Sequence, residues 1–294
     1  MKRNIITMSR LGKMGRWGNQ LLQYCFLEAY RRDHGFPMRC DFEYNAWAGQ
    51  HLLNVPSHPI TTFLTPCQEK YGPDEQPVAF DGPQLVNHDA VGWFQVHTSW
   101  WTPERRKVWG RLAPSPEQGE RVYNAVETLL AQGNTIIGVQ IRRGDYSGKY
   151  PWDHVTPVEW YVSWLQEHWE SYDAPVLFLA SEDRAVLSAF DLYQPYTVES
   201  LGIKLYGDKP YTYYNYLDED KLSKTPHLVD WFPEWLMLTY CDVLLAANST
   251  FSFSAALASH RVRSLWRPDV SAGQFREEDK WDCWPLRKDN PHKA

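Results

Sequence analysis

Short apolar runs alternate with amphipathic stretches along most of the chain. Runs rich in β-branched residues predict buried strands at 4–8, 135–141, 175–180 and 242–247. Apolar residues at helical spacing predict helices at about 20–35, 157–170, 184–190, 233–240 and 249–257. Strands that alternate with helices indicate parallel sheets, so the pattern predicts an α/β fold.

The chain of 294 residues is long enough for two domains with cores of their own. Ser115–Gln118 and Thr156–Glu159 read as capping boxes with proline at the first helical position. Gly133 is expected to end the first of these helices. We therefore predict an N-terminal domain at 1–132 and a C-terminal domain at 133–294.

Residues 43–113 are rich in proline, tryptophan and histidine and show no clear periodicity. We expect this segment to supply the side of the protein that receives a second substrate. Trp93, Trp100 and Trp101 suit stacking on sugar rings, or they are packing residues like most of the 15 tryptophans.

Charge and cysteine content exclude several classes of protein. The net charge of −6 argues against nucleic-acid binding and against a polybasic membrane contact. The five cysteines are odd in number and lack a Cys-x-x-Cys pair, which favours reduced thiols. No apolar run of eighteen residues predicts a transmembrane segment. The expected location is the cytoplasm, free or peripheral at the inner face of the membrane, and the oligomeric state stays open.

Three segments carry residues suited to an anionic ligand. Arg142 and Arg143 directly follow the strand at 135–141, at the end where ligands bind in open α/β sheets. Paired guanidinium groups grip phosphate, although such pairs also occur on solvated surfaces. A glycine-rich turn at 12–18 and the helix start at Ser249 offer backbone amides to the same kind of ligand. The sequence therefore indicates an enzyme with a phosphorylated donor.

Together these segments resemble a known family. Residues 15–24, GRWGNQLLQY, resemble the GRLGNQLFQYA start of glycosyltransferase family 11, the α-1,2-fucosyltransferases. Residues 140–146, QIRRGDY, resemble its HVRRGDY motif, and residues 247–257, ANSTFSFSAAL, resemble its ANSTFSWWAAWL. SerGluAsp at 181–183 is a weaker echo of the family's SDD. The motifs follow the family order and span residues 12 to about 260.

The resemblance implies a GT-B fold, with two Rossmann-like domains facing a cleft. It also implies GDP-fucose as donor substrate, an oligosaccharide acceptor, and no metal or other cofactor. Arg142 matches the arginine that holds the β-phosphate, and Arg143 matches its neighbour beside the fucose. The other positions implied to contact the donor are Gly15, Asn19, Gln140, Glu234, Ser249, Thr250 and Phe251. Among them Glu234 matches an acid that pairs with guanine N1 and N2, and Gln140 stands where the family has histidine.

Inverting transfer also needs a way to remove the acceptor proton. Asp145 is the first candidate for the base, followed by Asp41 and Glu43. The alternative is that Asp145 only orients the arginines. Glutamine cannot take up a proton near neutral pH, so Gln140 is expected to bind donor rather than act as a base.

Three rival hypotheses stay open. One is a metal-dependent glycosyltransferase that uses Asp218–Asp220 to bind Mn²⁺. Another is a sugar-binding protein without catalysis, which leaves the arginine pair unexplained. The third is a fucosyltransferase that makes another linkage or uses another GDP-sugar. The preferred hypothesis is transfer of L-fucose from GDP-fucose to a galactose by an α-1,2 bond.

Overall fold

The structure is a computed structural model that describes residues 4–40, 49–71, 77–78, 82–144, 146, 148, 153–203 and 231–287. The described chain forms two compact units, which divide between Ser115 and Pro116. This division differs from the predicted boundary between 132 and 133. The helix at 116–130 belongs to the second unit because it packs against another helix of that unit, at 231–238.

The first unit has a sheet of four parallel strands in the order β2-β1-β6-β3. Its strands are β1 (Ile6–Thr7), β2 (Met38–Arg39), β3 (Thr65–Gln68), β4 (Lys70–Tyr71), β5 (Pro77–Val78) and β6 (His88–Val91), of which β4 and β5 form a separate antiparallel pair. Its helices are α1 (Trp17–His34), α2 (Gly49–Leu52) and α3 (Pro103–Arg106), with 3-10 turns at Pro83–Leu85, Thr98–Trp100 and Trp109–Arg111.

Helix α1 confirms the first predicted helix and forms the centre of this unit. All of its residues from Leu21 to Tyr30 are buried. The helix ends where the sequence places a stop signal, because Gly35 adopts a left-handed φ of 71° and its N–H bonds to the Arg31 carbonyl.

The second unit has a five-stranded sheet in the order β11-β10-β9-β7-β8, parallel except for the hairpin of β10 and β11. Its strands are β7 (Thr135–Ile141), β8 (Pro175–Ser181), β9 (Val243–Ala246), β10 (Ser264–Asp269) and β11 (Gln274–Glu278). Its helices are α4 (Pro116–Leu130), α5 (Val158–His168), α6 (Trp231–Leu238) and α7 (Thr250–Ala258), with 3-10 segments at Trp169–Ser171 and Arg184–Tyr193.

These two parallel-rich α/β units confirm the predicted fold class. The buried face of β7 packs with α5 and β8 in a core that includes Ile137, Tyr161 and Leu177. The two capping boxes are not formed. The Ser115 hydroxyl is buried without a hydrogen-bond partner, and no side chain caps α5, whose N-cap is Pro157 rather than Thr156.

The strand order of each sheet reverses at one place. In the second unit the chain runs from β7 to β8 on one side and returns to β9 on the other, so the order reverses between β7 and β9. In the first unit the order reverses between β1 and β6. Because ligands of open α/β sheets bind beyond the carboxyl ends of strands at such reversals, these two points are the places to examine for function. In the described chain no helix has both the length and the apolarity needed to cross a membrane.

Candidate functional site

The site at the β7/β9 reversal, here the C-terminal site, consists of Gln140, Arg142, Arg143, Glu182 and Ser249. Arg142 and Arg143 directly follow β7, and Glu182 directly follows β8. The Arg142 Nη1 donates to Glu182 Oε1 at 3.0 Å, and the backbone N–H of Arg143 donates to the same oxygen at 2.5 Å. Glu182 therefore fixes the turn that carries both arginines.

The two arginines have different surroundings. The guanidinium of Arg142 lies over the ring of Tyr146, 5.0 Å from its centroid, and its side chain keeps 18% of its exposure. The guanidinium of Arg143 is turned toward the backbone, where it donates to the Arg142 carbonyl at 2.9 Å and to the Thr156 carbonyl at 3.0 Å. Arg142 is therefore the better placed of the two to reach a phosphate, while Arg143 also shapes the turn.

The start of α7 is the second part of this site. Ser249 is the N-cap of α7, and its hydroxyl accepts a hydrogen bond from the Phe251 N–H at 3.3 Å. The Tyr146 hydroxyl donates to the Asn248 carbonyl at 3.0 Å, which joins the arginine turn to the α7 turn. The positive end of a helix thus lies beside a guanidinium–aromatic pair, an arrangement that favours an anion.

Gln140 is buried near the end of β7, with only 3% of its surface exposed. Its backbone carbonyl accepts a hydrogen bond from the Tyr161 hydroxyl at 3.2 Å, but its side-chain Oε1 has no hydrogen-bond partner. Because an unpaired buried amide oxygen is costly, this atom is suited to accept a hydrogen bond from a ligand.

Glu234 lies on α6 and is 3% exposed. The two terminal guanidinium nitrogens of Arg184, Nη1 and Nη2, lie 3.4 Å from its Oε1, and Arg184 also pairs with Glu199. Burial raises the pKa of Glu234 well above its ordinary value, and the charge of Arg184 only partly opposes this effect. Glu234 is therefore a buried carboxyl that binds its proton at a higher pH than an exposed glutamate does.

The site at the β1/β6 reversal, here the N-terminal site, consists of Gly15, Asn19, Glu69, Trp93 and Gln95. Gln95 Nε2 donates to Asn19 Oδ1 at 2.7 Å. Gly15 has a φ of 78°, and a Cβ at this position would lie 2.3 Å from Asn19 Nδ2 and 2.5 Å from Trp93 Cζ3. Only glycine fits this close approach.

Buried glutamines of α1 hold the loop that contains Gly15. Gln20 Nε2 donates to the Gly15 carbonyl at 3.5 Å, and Gln23 Nε2 donates to the Met14 carbonyl at 2.8 Å. Asp89 of β6 accepts from the Thr7 hydroxyl and from the N–H and hydroxyl of Ser9. The ends of β1 and β6 are therefore fixed relative to each other.

The predicted residues thus fall into two groups. Gly15 and Asn19 lie in the N-terminal site, Gln140, Arg142, Arg143, Ser249, Thr250 and Phe251 lie in or beside the C-terminal site, and Glu234 lies on the neighbouring helix α6. Asp145, Asp41, Glu43 and Asp218–Asp220 lie outside the described residues.

Several residues of these sites are not among the predicted ones. Glu182 belongs to the SerGluAsp motif and Tyr146 ends the QIRRGDY motif, and these motifs are the signals that point to them, whereas Glu69 carries no pattern of its own. Of the tryptophans considered for sugar stacking, Trp93 is 37% exposed, whereas Trp100 and Trp101 are buried and pack against each other. In the described part of the chain, no group of three or more His, Cys, Asp or Glu side chains is arranged to hold a metal ion.

Several solved structures have a fold similar to that of this chain. The fucosyltransferase NodZ from Bradyrhizobium aligns with a TM-score of 0.58 at 14% identity, over 95% of this chain and 100% of that one. NodZ α-1,6-fucosyltransferase co-crystallised with GDP gives a TM-score of 0.57 at 14% identity, over 95% and 99%. A mutant of Arabidopsis thaliana FUT1 in complex with GDP gives 0.57 at 12% identity, over 95% of this chain and 74% of that one.

The chain has a fucosyltransferase fold. No protein-family model matches its sequence, and no curated protein matches it. At these identities the likeness establishes the fold alone, so the resemblance to family 11 and to its α-1,2 linkage stays a prediction.

Proposed function

We propose that the protein transfers L-fucose from GDP-fucose to a sugar hydroxyl, with inversion and without a metal ion. The observation that carries this proposal is the turn after β7, where Glu182 fixes Arg142 and Arg143 beside the helix start at Ser249. This turn offers fixed cations and backbone amides at a strand-order reversal, which suits a diphosphate. The likeness to fucosyltransferase structures that contain GDP supports the choice of nucleotide.

Glu234 supports guanine as the base. An ionised carboxylate accepts two parallel hydrogen bonds, and guanine presents two adjacent N–H donors at N1 and N2. Because both contacts of Arg184 are made to Oε1, the guanidinium leaves the other oxygen of this carboxyl for a second donor.

The mechanism follows from the charge that develops during transfer. The acceptor oxygen bonds to the anomeric carbon while the bond from that carbon to the β-phosphate oxygen breaks, and the electron pair stays on GDP. In this proposal Arg142 and the amides at the start of α7 stabilise that charge, and Arg143 and Gln140 bind the donor. Gly15 and Asn19 contribute the N-terminal loop, Thr250 and Phe251 extend the α7 turn, and Asp145 takes the acceptor proton.

For the acceptor we propose a galactose, joined by an α-1,2 bond. This choice of acceptor and linkage rests on the motifs that resemble those of family 11. Transfer to another position or from another GDP-sugar is the alternative that Gln140 keeps open, because it replaces the family's histidine.

The test is transfer from GDP-fucose to lactose in the presence of EDTA, followed by NMR of the product. We expect one fucose per lactose, with a correlation across the glycosidic bond between fucose H1 and galactose C2. A correlation to another carbon would mean that the protein forms a different linkage, but fucosyl transfer itself would still be shown. GDP release that depends on added Mn²⁺ would overturn the metal-free mechanism.

A further inference from the structure

We propose that Tyr146 is a positioning residue of the C-terminal site, which holds the guanidinium of Arg142 at a fixed place relative to the start of α7. This inference rests on the proposed function and deepens it, because it names a residue that acts through the phosphate-binding groups. All of the contacts that carry it lie within the second unit.

Tyr146 is tied to the arginine turn by its backbone and by its ring. Its N–H donates to the Arg143 carbonyl at 3.2 Å, which closes a turn in which Gly144 adopts a left-handed φ of 65°. Its ring centroid lies 5.0 Å from the guanidinium carbon of Arg142, within the range of a cation–π contact. Because Glu182 Oε1 accepts from Nη1 of the same guanidinium, this group is held both by a carboxylate and by an aromatic face.

The hydroxyl of Tyr146 contacts the other part of the site, the turn before α7. It donates to the Asn248 carbonyl at 3.0 Å. The Ser249 N–H donates to the Ala247 carbonyl at 2.7 Å, so the chain turns tightly at Asn248, directly before the amides of α7. The same tyrosine therefore contacts the guanidinium and the turn at the positive end of the helix, the two groups that suit an anion.

Asn248 is a fixed acceptor for this hydroxyl because its own side chain is fully engaged. The residue is 3% exposed, and its Nδ2 donates to the Arg287 carbonyl at 2.8 Å. Its Oδ1 accepts from the Arg287 N–H and from Nη2 of Arg267, each at 2.9 Å. These three hydrogen bonds tie Asn248 to β10 and to the segment that follows β11. The Tyr146 hydroxyl therefore places the arginine turn relative to a point that the sheet defines.

The consequence for catalysis follows from where charge develops. In the proposed function a diphosphate contacts Arg142 and the amides of α7 at the same time, and its charge grows as the bond to the anomeric carbon breaks. Groups that stabilise this charge must be correctly spaced before the reaction starts. A misplacement of about 1 Å can cost roughly 10²-fold in rate. We therefore expect Tyr146 to affect kcat more than the KM for GDP-fucose.

The variant Y146F tests the role of the hydroxyl, because it keeps the ring beside Arg142. We expect kcat to fall by about tenfold, while the KM for GDP-fucose changes by less than about twofold. In the R142A background the same substitution should have little further effect, because Tyr146 acts through Arg142. The double variant R142A/Y146F therefore completes a double-mutant cycle, in which the two losses should not add.

The matched control is Y196F. The Tyr196 hydroxyl donates to Gln132 Oε1, also at 3.0 Å, and Tyr196 is half-buried in the same unit, as Tyr146 is. Y196F should leave kcat and both KM values unchanged, and thermal unfolding of each variant shows whether it folds. An unchanged kcat in folded Y146F would overturn the proposal. An equal loss of kcat from Y146F in the wild type and in R142A would do the same.

Binding of GDP and GMP separates this inference from the proposed function, because it needs no turnover. GDP carries the terminal phosphate that GMP lacks, so Y146F should weaken GDP binding by about fivefold and leave GMP binding unchanged. This result in a protein that does not consume GDP-fucose would support the role of Tyr146 and overturn the proposed function.

The opposite results contradict the inference. Equal weakening of GDP and GMP binding in Y146F would mean that the hydroxyl has only a structural role. Unchanged GDP binding and kcat in Y146F, with a wild type that transfers fucose, would overturn the role of Tyr146 and leave the proposed function intact. A wild type that binds neither nucleotide would overturn both.

Discussion

At the scale of single residues, the C-terminal site depends on one carboxylate that accepts hydrogen bonds from two arginines. Glu182 accepts from the side chain of Arg142 and from the backbone of Arg143, and its side chain is only 14% exposed. The turn is therefore organised before any ligand arrives. Such preorganisation is what makes fixed donors effective toward a charge that develops only during the reaction.

Replacing Arg142 should separate catalysis from stability. We expect R142A to lower kcat by roughly 10²–10³-fold, the usual effect of removing one fixed donor to a developing negative charge. It should also lower the melting temperature, because it leaves Glu182 partly buried without its ion pair.

The double variant R142A/E182Q is the control for that prediction. It removes the unpaired charge, so its melting temperature should recover while its kcat stays low. Recovery of kcat together with stability would mean that Arg142 acts only through the fold.

Glu234 predicts a pH dependence of nucleotide binding. Only the ionised carboxylate accepts both guanine N–H groups, and burial raises its pKa above the ordinary value of 4.5. Lowering the pH therefore protonates Glu234 sooner than an exposed glutamate, and the affinity for GDP should fall as the pH decreases through this raised pKa. Calorimetry of GDP binding at a series of decreasing pH values measures this effect.

The variant E234Q and inosine diphosphate are the matched controls. E234Q should bind GDP more weakly and lose this part of the pH dependence. Inosine diphosphate lacks the N2 amino group and should bind the wild type about tenfold more weakly than GDP. Equal affinity for the two nucleotides would remove Glu234 from the base pocket.

At the scale of elements, a buried arginine holds the segment that leads into α7. Arg267 of β10 is fully buried and donates to Asn248 Oδ1, to the Trp284 and Pro285 carbonyls and to Glu278. Asn248 directly precedes the N-cap Ser249. The position of the α7 turn is therefore tied to the sheet and to the residues that follow it.

Replacing this arginine should cost stability. We expect R267M to lower the free energy of unfolding by about 3 kcal/mol, because it leaves several buried acceptors unpaired. R276M is the matched control, since Arg276 also contacts Glu278 but its side chain is 57% exposed. Its cost should stay below about 1 kcal/mol. Urea denaturation measures the free energy of unfolding of each variant. Equal free energies of unfolding for the two variants would contradict this account.

The elements that sequence reasoning predicted share one property. Helix α1 and strands β7, β8 and β9 are continuous apolar segments with clear ends, and the structure places them within a few residues of the prediction. Strands β3 and β6 were not predicted because β3 is largely exposed and both lie in a segment rich in proline and aromatic residues. Short strands of that kind have no period of their own and are specified by their neighbours.

The candidate sites likewise have features that the sequence predicts and features that it does not. The motifs at 15–24, 140–146 and 247–257 are local, and each occurs at the carboxyl end of a strand at a reversal of strand order. Contacts such as Trp93–Glu69 or Arg142–Glu182 join residues that are distant in sequence. No local pattern encodes such contacts, because they depend on which strands become neighbours.

At the scale of the whole molecule, both units are built alike but their sites differ in chemistry. The C-terminal site is rich in cations and helix amides, which suit a diphosphate. The N-terminal site has an exposed indole and side-chain amides in place of the cations.

The measurement that tests this account most directly is release of GDP or UDP from a panel of sugar donors in the presence of EDTA and lactose. The panel contains GDP-fucose, GDP-mannose and UDP-galactose. We predict turnover of GDP-fucose alone, with no effect of EDTA. Turnover of UDP-galactose, activity only after Mn²⁺ is added, or no release from any donor together with no binding of GDP would contradict the account.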